Sequence, residues 1–175
     1  SPTRDGDGLG QNEIEFIELV NSQSSPVQLG GPIGQALSWR LRGGIRYDFP
    51  TGVELGPLES MVIASFDPDL DDALLAAFRG QWDIPEKVVV LGPFKGRLDN
   101  SGDAVRLERA DPSLVFGDEL EFYASEVVEY SASSPWPETQ NPAESIQRLS
   151  ASEYGNEPSN WTVGVPTPGV FTLDR

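Results

Sequence analysis

The feature that most constrains the fold of this chain is an alternating run of apolar and polar residues on either side of Gly43-Gly44. The apolar members of the run are Leu37, Trp39, Leu41, Ile45, Tyr47 and Phe49. A period of two puts successive side chains on opposite faces of an extended chain, so the run predicts two strands, each with one buried face and one wet face. The Gly-Gly link is short enough to join them as a β-hairpin.

The outward face predicted for this hairpin carries three arginines, Arg40, Arg42 and Arg46. Two interpretations are open for this basic cluster. The arginines can pair across strands with Asp48 or other nearby acids, or they can bind an anion. Cross-strand pairing is favoured, because opposite charges that face each other on a sheet stabilise it.

A second dense β-forming run extends from Glu13 to Asn21. Its apolar residues fall on both faces, with Ile14 and Phe16 on one and Ile17 and Leu19 on the other. This pattern predicts a central strand that is covered from both sides or kinked by a bulge.

The rest of the chain supplies more short strands and one short helix. β-Forming runs occur at Met61–Ala64, Lys87–Leu91, Val105–Leu107, Leu120–Tyr123 and Val127–Tyr130. Asp67-Pro68 resembles a helix start, and a stripe through Leu70, Leu74, Ala77 and Phe78 predicts a helix over about 68–79, with its stripe in the core. Turn signals between the runs favour an all-β, antiparallel β-sandwich with a long irregular C-terminal segment.

Composition limits the classes of function. A chain of 175 residues with 38% hydrophobic content can form one domain with a sizeable core. Its formal charge of -16 repels phosphate backbones, so nucleic acid is not expected as a partner. The chain has no Cys and no His, which excludes chemistry that depends on them. No run approaches 18 apolar residues, so membrane insertion is not expected.

The first twelve residues predict an acidic flexible arm. Asp5 and Asp7 stand at the first and third positions of an EF-hand-like loop, with Gly10 at the sixth. Leu9 and Phe16 occupy positions that should supply ligands, so a flexible acidic turn is favoured over a calcium site. Calcium at Asp5 and Asp7 is the one cofactor interpretation left open.

Enzyme interpretations depend on the carboxylates. A hydrolase acting on polysaccharide would need two of them facing each other across a cleft, with one pKa raised. Glu18 is the candidate for an unusual carboxylate because apolar residues flank it, although a buried Glu held by backbone donors or an arginine is favoured over a catalytic one. Asn160-Trp-Thr162 also fits a glycosylation sequon.

Taken in order, the short motifs of the chain resemble those of lamin-tail domains, and the resemblance covers about 13–169. The motifs that carry it are Glu15-Phe-Ile-Glu-Leu-Val-Asn21, Pro26-Val-Gln-Leu29, Trp39-Arg-Leu41, Tyr47-Asp-Phe-Pro50, Gly92-Pro-Phe94, Asn100-Ser-Gly-Asp-Ala-Val-Arg-Leu107, Val127-Val-Glu-Tyr130, Pro135-Trp-Pro137, Ser145-Ile-Gln-Arg148, Asn160-Trp161 and Thr167-Pro-Gly169. The resemblance implies an immunoglobulin-like sandwich. It also implies a non-catalytic structural or interaction module of a secreted or cell-surface protein, whose partners are other proteins or neighbouring domains.

Two departures from the family pattern add expectations. Leu114–Ser125 is longer than the pattern needs, and the apolar strand that usually precedes the acidic loop is missing. A sandwich without that strand exposes a sheet edge, which can accept a strand from another chain. The C-terminal extension 170–175 could donate such a strand and build a homo-oligomer. The alternatives are that this extension folds back on its own domain, or that the chain is a trimmed fragment.

Overall fold

The computed structural model describes residues 14–31, 38–116, 119–141 and 143–171, with the backbone alone for 112–116 and 119–120. The arm predicted over 1–12 and most of the extension predicted over 170–175 therefore lie outside the described residues. In chain order the strands are β1 (Phe16–Val20), β2 (Val27–Gln28), β3 (Trp39–Gly43), β4 (Ile45–Asp48), β5 (Glu54–Leu55), β6 (Ser60–Ala64), β7 (Val89–Leu91), β8 (Lys95–Gly96), β9 (Gly102–Phe116), β10 (Glu119–Ser131), β11 (Ser145–Arg148) and β12 (Trp161–Gly164). Helix α1 (Asp72–Gln81) lies between β6 and β7.

In the described part of the chain, the strands form one five-stranded sheet, one three-stranded sheet and two small pairs. The larger sheet has the order β10-β9-β3-β4-β8, and the smaller one has the order β1-β6-β7. β2 pairs with β5, and β11 pairs with β12. All these pairs are antiparallel except β6 with β7, which run parallel because α1 lies on the connection between them.

Two apolar cores lie on opposite faces of β6. The first core fills the space between the two larger sheets, and its members from those sheets include Leu41, Ile45, Met61 and Ile63. The second core packs the other face of β6 against α1 and the residues before β7, through Val62, Ala64, Phe78, Ile84 and Val88. β6 is apolar at consecutive positions because both of its faces are buried. The described residues thus confirm an all-β, sandwich-like fold with one short helix.

The first strand is covered on both faces, as its sequence predicts. Ile17 and Leu19 pack on the first core, whereas Ile14 and Phe16 pack on the second. The expectation of a central strand is wrong in one respect, because among the described residues β1 lies at an edge of its sheet and β6 takes the middle position. The pairing of β1 with β6 continues without a bulge.

The helix begins later than its sequence predicts. Asp71, not Asp67, caps α1, and its side chain accepts a hydrogen bond of 2.9 Å from Leu74 N–H. Asp67 instead accepts from Asp69 N–H at 3.0 Å and closes a local turn, which competes with helix initiation. Leu70 therefore stays outside the helix and is 84% exposed. Of the rest of the predicted stripe, Phe78 is buried as expected and Leu74 is half-buried, whereas Ala77 is exposed.

The C-terminal segment has more regular structure than its sequence suggests. β11 and β12 form a hairpin-like pair, and a 3-10 turn at Pro158–Asn160 leads into β12. Trp161 of this pair contacts Trp136, with ring centroids 6.1 Å apart. This contact packs the β11–β12 pair against the segment that follows β10.

Candidate interaction surface on the long hairpin

The candidate functional surface lies on the hairpin formed by β9 and β10, here called the long hairpin. Its ladder extends from Gly102 paired with Ser131 to Phe116 paired with Glu119. Within the described residues, β3 pairs with β9 over Val105–Arg109, and a backbone hydrogen bond from Ala110 N–H to Ser38 O continues this contact to the first described residue before β3. The outer part of the long hairpin, beyond Ala110, continues as a ladder between β9 and β10 as far as Phe116 and Glu119. It contains most of Leu114–Ser125, the stretch that is longer than the family pattern needs.

Arginine and aromatic side chains stack across β3, β9 and β10 next to Ala110. The Arg109 guanidinium carbon lies 5.7 Å from the Trp39 ring centroid and 5.2 Å from that of Tyr123. The register explains this contact, because Trp39, Arg109 and Tyr123 occupy one row across three strands. On the opposite face Arg40 lies 3.6 Å above the Phe122 ring. Each such pair contributes about 0.5–1 kcal/mol at an exposed site.

Two of the three arginines predicted to cluster on the β3–β4 hairpin, Arg40 and Arg42, pair with acids, which confirms the favoured interpretation for these two. Arg40 Nε lies 2.7 Å from Glu108 Oε2, and Arg42 Nη2 lies 2.7 Å from Asp48 Oδ1. Arg106 makes a longer contact of 3.4 Å with Glu108. These ion pairs align β3 with its two neighbours.

The outer edge of β10 presents backbone groups whose direction follows from the register. Because Ala110 N–H donates to β3, the backbone groups of Ala110 point away from β10. Phe122 is opposite Ala110, so the N–H and C=O of Phe122 point outward, and those of Ala124 do so two residues later. A bulge between Ala124 and Glu126 then shifts the register.

Beyond the bulge, the C-terminal segment covers this edge. Glu129 N–H donates a hydrogen bond of 2.7 Å to the Asn156 side chain, which takes the place of a strand partner. The Glu126 carboxylate accepts from Gly155 N–H at 3.2 Å and from Arg148 at 3.1 Å. The covered half of the edge thus ends at the bulge, next to the outward-pointing groups of Ala124.

An open groove of about 430 Å³ lies between β10 and the turn that covers it. Its walls are Ala124, Ser125, Glu126 and Val127 on the strand and Tyr154, Gly155, Asn156 and Glu157 on the turn. Tyr154 stands at this groove with 86% of its surface exposed. Tyr154, Phe122 and Tyr123 are not among the functional residues predicted from the sequence. The available signal for the last two was the run Glu119–Tyr123, in which two adjacent aromatic residues follow alternating Glu and apolar residues.

The carboxylates that drew attention in the sequence have structural partners. Glu18 is half-buried rather than buried, and it accepts a hydrogen bond of 2.7 Å from a backbone donor, Gly169 N–H, as expected. Glu15 accepts from Leu98 N–H at 2.9 Å and pairs with Arg97 at 3.3 Å. Both carboxylates join β1 to distant segments of the chain.

Shifted pKa values belong to buried or hydrogen-bonded structural groups. Hydrogen bonds from the Ser101 hydroxyl and N–H lower the pKa of Asp99, the opposite of what an acid catalyst needs. Burial raises the pKa of Tyr130, and the nearby carboxylates of Asp103 and Asp99 raise it further. Burial is also the main cause of the raised pKa of Tyr47.

Two other predicted sites have different outcomes. Asp5 and Asp7, the candidate calcium ligands, lie outside the described residues. Within the part of the chain that the structure describes, no group of three or more His, Cys, Asp or Glu residues is placed to hold a metal ion.

Asn160 of the sequon is 5% exposed, and its side chain forms hydrogen bonds with Ser150 and Tyr154. It serves as a structural link in the folded chain.

Comparisons with protein-family models, curated proteins and solved structures found no match to this chain. The resemblance to lamin-tail domains rests on the order of the short sequence motifs, and it supports a proposal about function. In the described residues, no helix is both long and apolar enough to cross a membrane.

Proposed function

We propose that this chain is a non-catalytic structural or interaction module of a secreted or cell-surface protein, similar in kind to lamin-tail domains. The observation that carries the proposal is the long hairpin, whose ladder continues to Phe116 and Glu119 and which presents aromatic rings next to Ala110. Tyr123, which is 40% exposed, lies there beside Arg109 and Trp39. Tyrosine, tryptophan and arginine are the residues that most often dominate protein–protein binding.

The hydrogen bonds made by the carboxylates beside β10 also support this proposal. Glu126 and Glu157 line the groove beside β10, but Glu126 is bound by Arg148 and Gly155, and Glu157 accepts from Ser159 at 3.1 Å. These acids stabilise turns. A polysaccharide hydrolase with paired carboxylates is the competing proposal, and it needs an acid and a base that are free to act on substrate.

A photo-cross-linking experiment can test the proposed function. A photoreactive phenylalanine analogue replaces Tyr123 in the full chain, and the same analogue at Leu70 is the matched control, since Leu70 is 84% exposed and far from the long hairpin in the chain. We expect discrete adducts with surface proteins of the native host from position 123 alone. Adducts at neither position, together with release of reducing sugar from polysaccharides, would support the hydrolase instead.

A further inference from the structure

We infer that the outer edge of β10 at Phe122 and Ala124 binds an extended peptide segment rich in lysine or arginine, which ends in the groove beside Tyr154. This inference rests on the proposed function and names the class of partner for the same surface. Three observations carry it: the direction of the backbone groups, the fixed turn at Tyr154 and the charge around the groove.

The backbone groups define where the segment pairs. Phe122 and Ala124 each point an N–H and a C=O outward, and these four groups are spaced as one side of a β-ladder. Within the described residues, β9 is the strand that pairs with β10, on its inner side. An incoming strand can extend the sheet by main-chain hydrogen bonds, as in other cases of strand addition.

The turn at Tyr154–Glu157 defines where the segment ends. Asn156 and Gly155 already occupy the edge at Glu129 and Glu126, so an added strand cannot continue past the bulge. The turn itself is held in place, because Tyr154 O accepts from Glu157 N–H and Gly155 O accepts from Trp161 Nε1 at 2.8 Å. The exposed Tyr154 ring is therefore presented from a rigid backbone, which lowers the entropic cost of binding.

The charge around this edge selects a basic segment. Glu121, Glu129 and Glu157 are exposed near the edge or at the groove, and the whole chain carries a formal charge of -16. Two nearby arginines, Arg40 and Arg109, stack on aromatic rings, and Arg40 also pairs with Glu108. A cationic partner is steered toward such a surface, whereas a second copy of this acidic chain is repelled.

A titration by nuclear magnetic resonance tests the inference. The probe is a seven-residue peptide of alternating lysine and valine with blocked ends, added to the full ¹⁵N-labelled chain. We expect the amide signals of Phe122, Ala124 and Tyr154 to shift, and the affinity to fall as salt is raised. A peptide with glutamate in place of lysine, and one N-methylated at alternate residues, should each bind at least about tenfold more weakly, because one loses the charge match and the other loses the ladder bonds.

Two variants locate the site. Ala124→Pro removes an outward N–H that the pairing with β9 does not use, and should weaken binding of the lysine–valine peptide by at least about tenfold. Tyr154→Ala should weaken it by about tenfold, as expected for an interface tyrosine. Leu70→Ala removes an equally exposed apolar side chain elsewhere and should leave the affinity unchanged. If Ala124→Pro perturbs the fold, the Tyr154→Ala result decides.

The outcomes separate this inference from the proposed function. No shift at Phe122 and Ala124, equal binding of the N-methylated peptide, or pairing of two copies through this edge would each overturn the inference. Binding of the peptide at another surface would also overturn it, while leaving an interaction module in place. Hydrolysis of polysaccharide by the chain would overturn the proposed function itself.

Discussion

The Glu18 carboxylate on β1 accepts a hydrogen bond of 2.7 Å from the backbone N–H of Gly169. This contact ties the first described strand to the C-terminal end of the domain. Gly169 has a φ of +85°, and a Cβ there would lie 2.5 Å from Val88 Cγ2, so glycine is required for the close approach. Pro168, the residue before it, is fully buried.

Replacing Glu18 with alanine should destabilise the domain by about 1–3 kcal/mol, because the Gly169 N–H loses its acceptor in a partly buried site. Glu18→Gln keeps an oxygen acceptor and should cost less. Urea unfolding followed by tryptophan fluorescence gives both free energies. A loss below about 0.5 kcal/mol for Glu18→Ala would show that the contact adds nothing beyond an ordinary surface substitution.

Deleting Val170–Arg175 tests the donated-strand hypothesis. Because the chain is fixed to its own domain as far as Gly169 and carries a charge of -16, we expect the full-length protein and the truncated one to be monomers. Sedimentation velocity measures the mass of each. Assembly of the full-length protein that disappears on truncation would support strand donation instead.

Trp39→Ala should cost about 2 kcal/mol, below the range of 3–5 kcal/mol typical of an enclosed tryptophan. The sequence predicts Trp39 in the core, but the structure places it at the rim, half-buried and packed against the first core. Leu41→Ala, at a fully buried position of the same strand, is the matched comparison. Equal losses at the two positions would show that Trp39 is enclosed after all.

Asp99 makes the domain sensitive to acid. Its folded pKa is lowered by the Ser101 hydrogen bonds, so the stabilisation is present above its unfolded pKa and is lost as pH falls through the lower folded value. When the pH is lowered from 7 to below about 4, the free energy of unfolding of Asp99→Asn should therefore fall by less than that of the wild type. Urea midpoints over this range measure the effect, with the exposed Glu138→Gln as control. Parallel curves for the wild type and Asp99→Asn would contradict the prediction.

Calcium should have little effect on stability. Asp5 and Asp7 supply only part of an EF-hand-like ligand set, since Leu9 and Phe16 occupy ligand positions. Thermal unfolding in calcium and in chelator should agree closely, and Asp5→Asn with Asp7→Asn should change neither curve. A shift of many degrees that the double variant abolishes would establish a site in this arm.

Local patterning predicted the parts of the fold where one physical cause dominates. Alternation placed Leu41, Tyr47 and Phe49 in the core, and the two apolar faces of the first strand indicated that Ile17 and Phe16 enter different cores. These predictions succeeded because the burial of one or both faces of a strand determines which positions along it are apolar.

The remaining features depend on competition or on distant contacts, which local pattern does not contain. Asp67 and Asp71 both can cap a helix, and a local turn at Asp67 moved the start to Asp72. Nothing near Tyr154 in the sequence indicates that Glu126 and Trp161 fix its turn beside β10. The candidate surface was therefore predictable only as an unusually long stretch before Val127.

Strand β6 has a consequence for how the domain melts. Its residues Val62, Ile63 and Ala64 are fully buried, and they face alternately toward the space between the sheets and toward the helix. A strand that forms a wall of both cores cannot leave one of them without opening the other. Heat or denaturant should then disrupt the two cores in one cooperative transition, with no state in which the helix layer alone has melted.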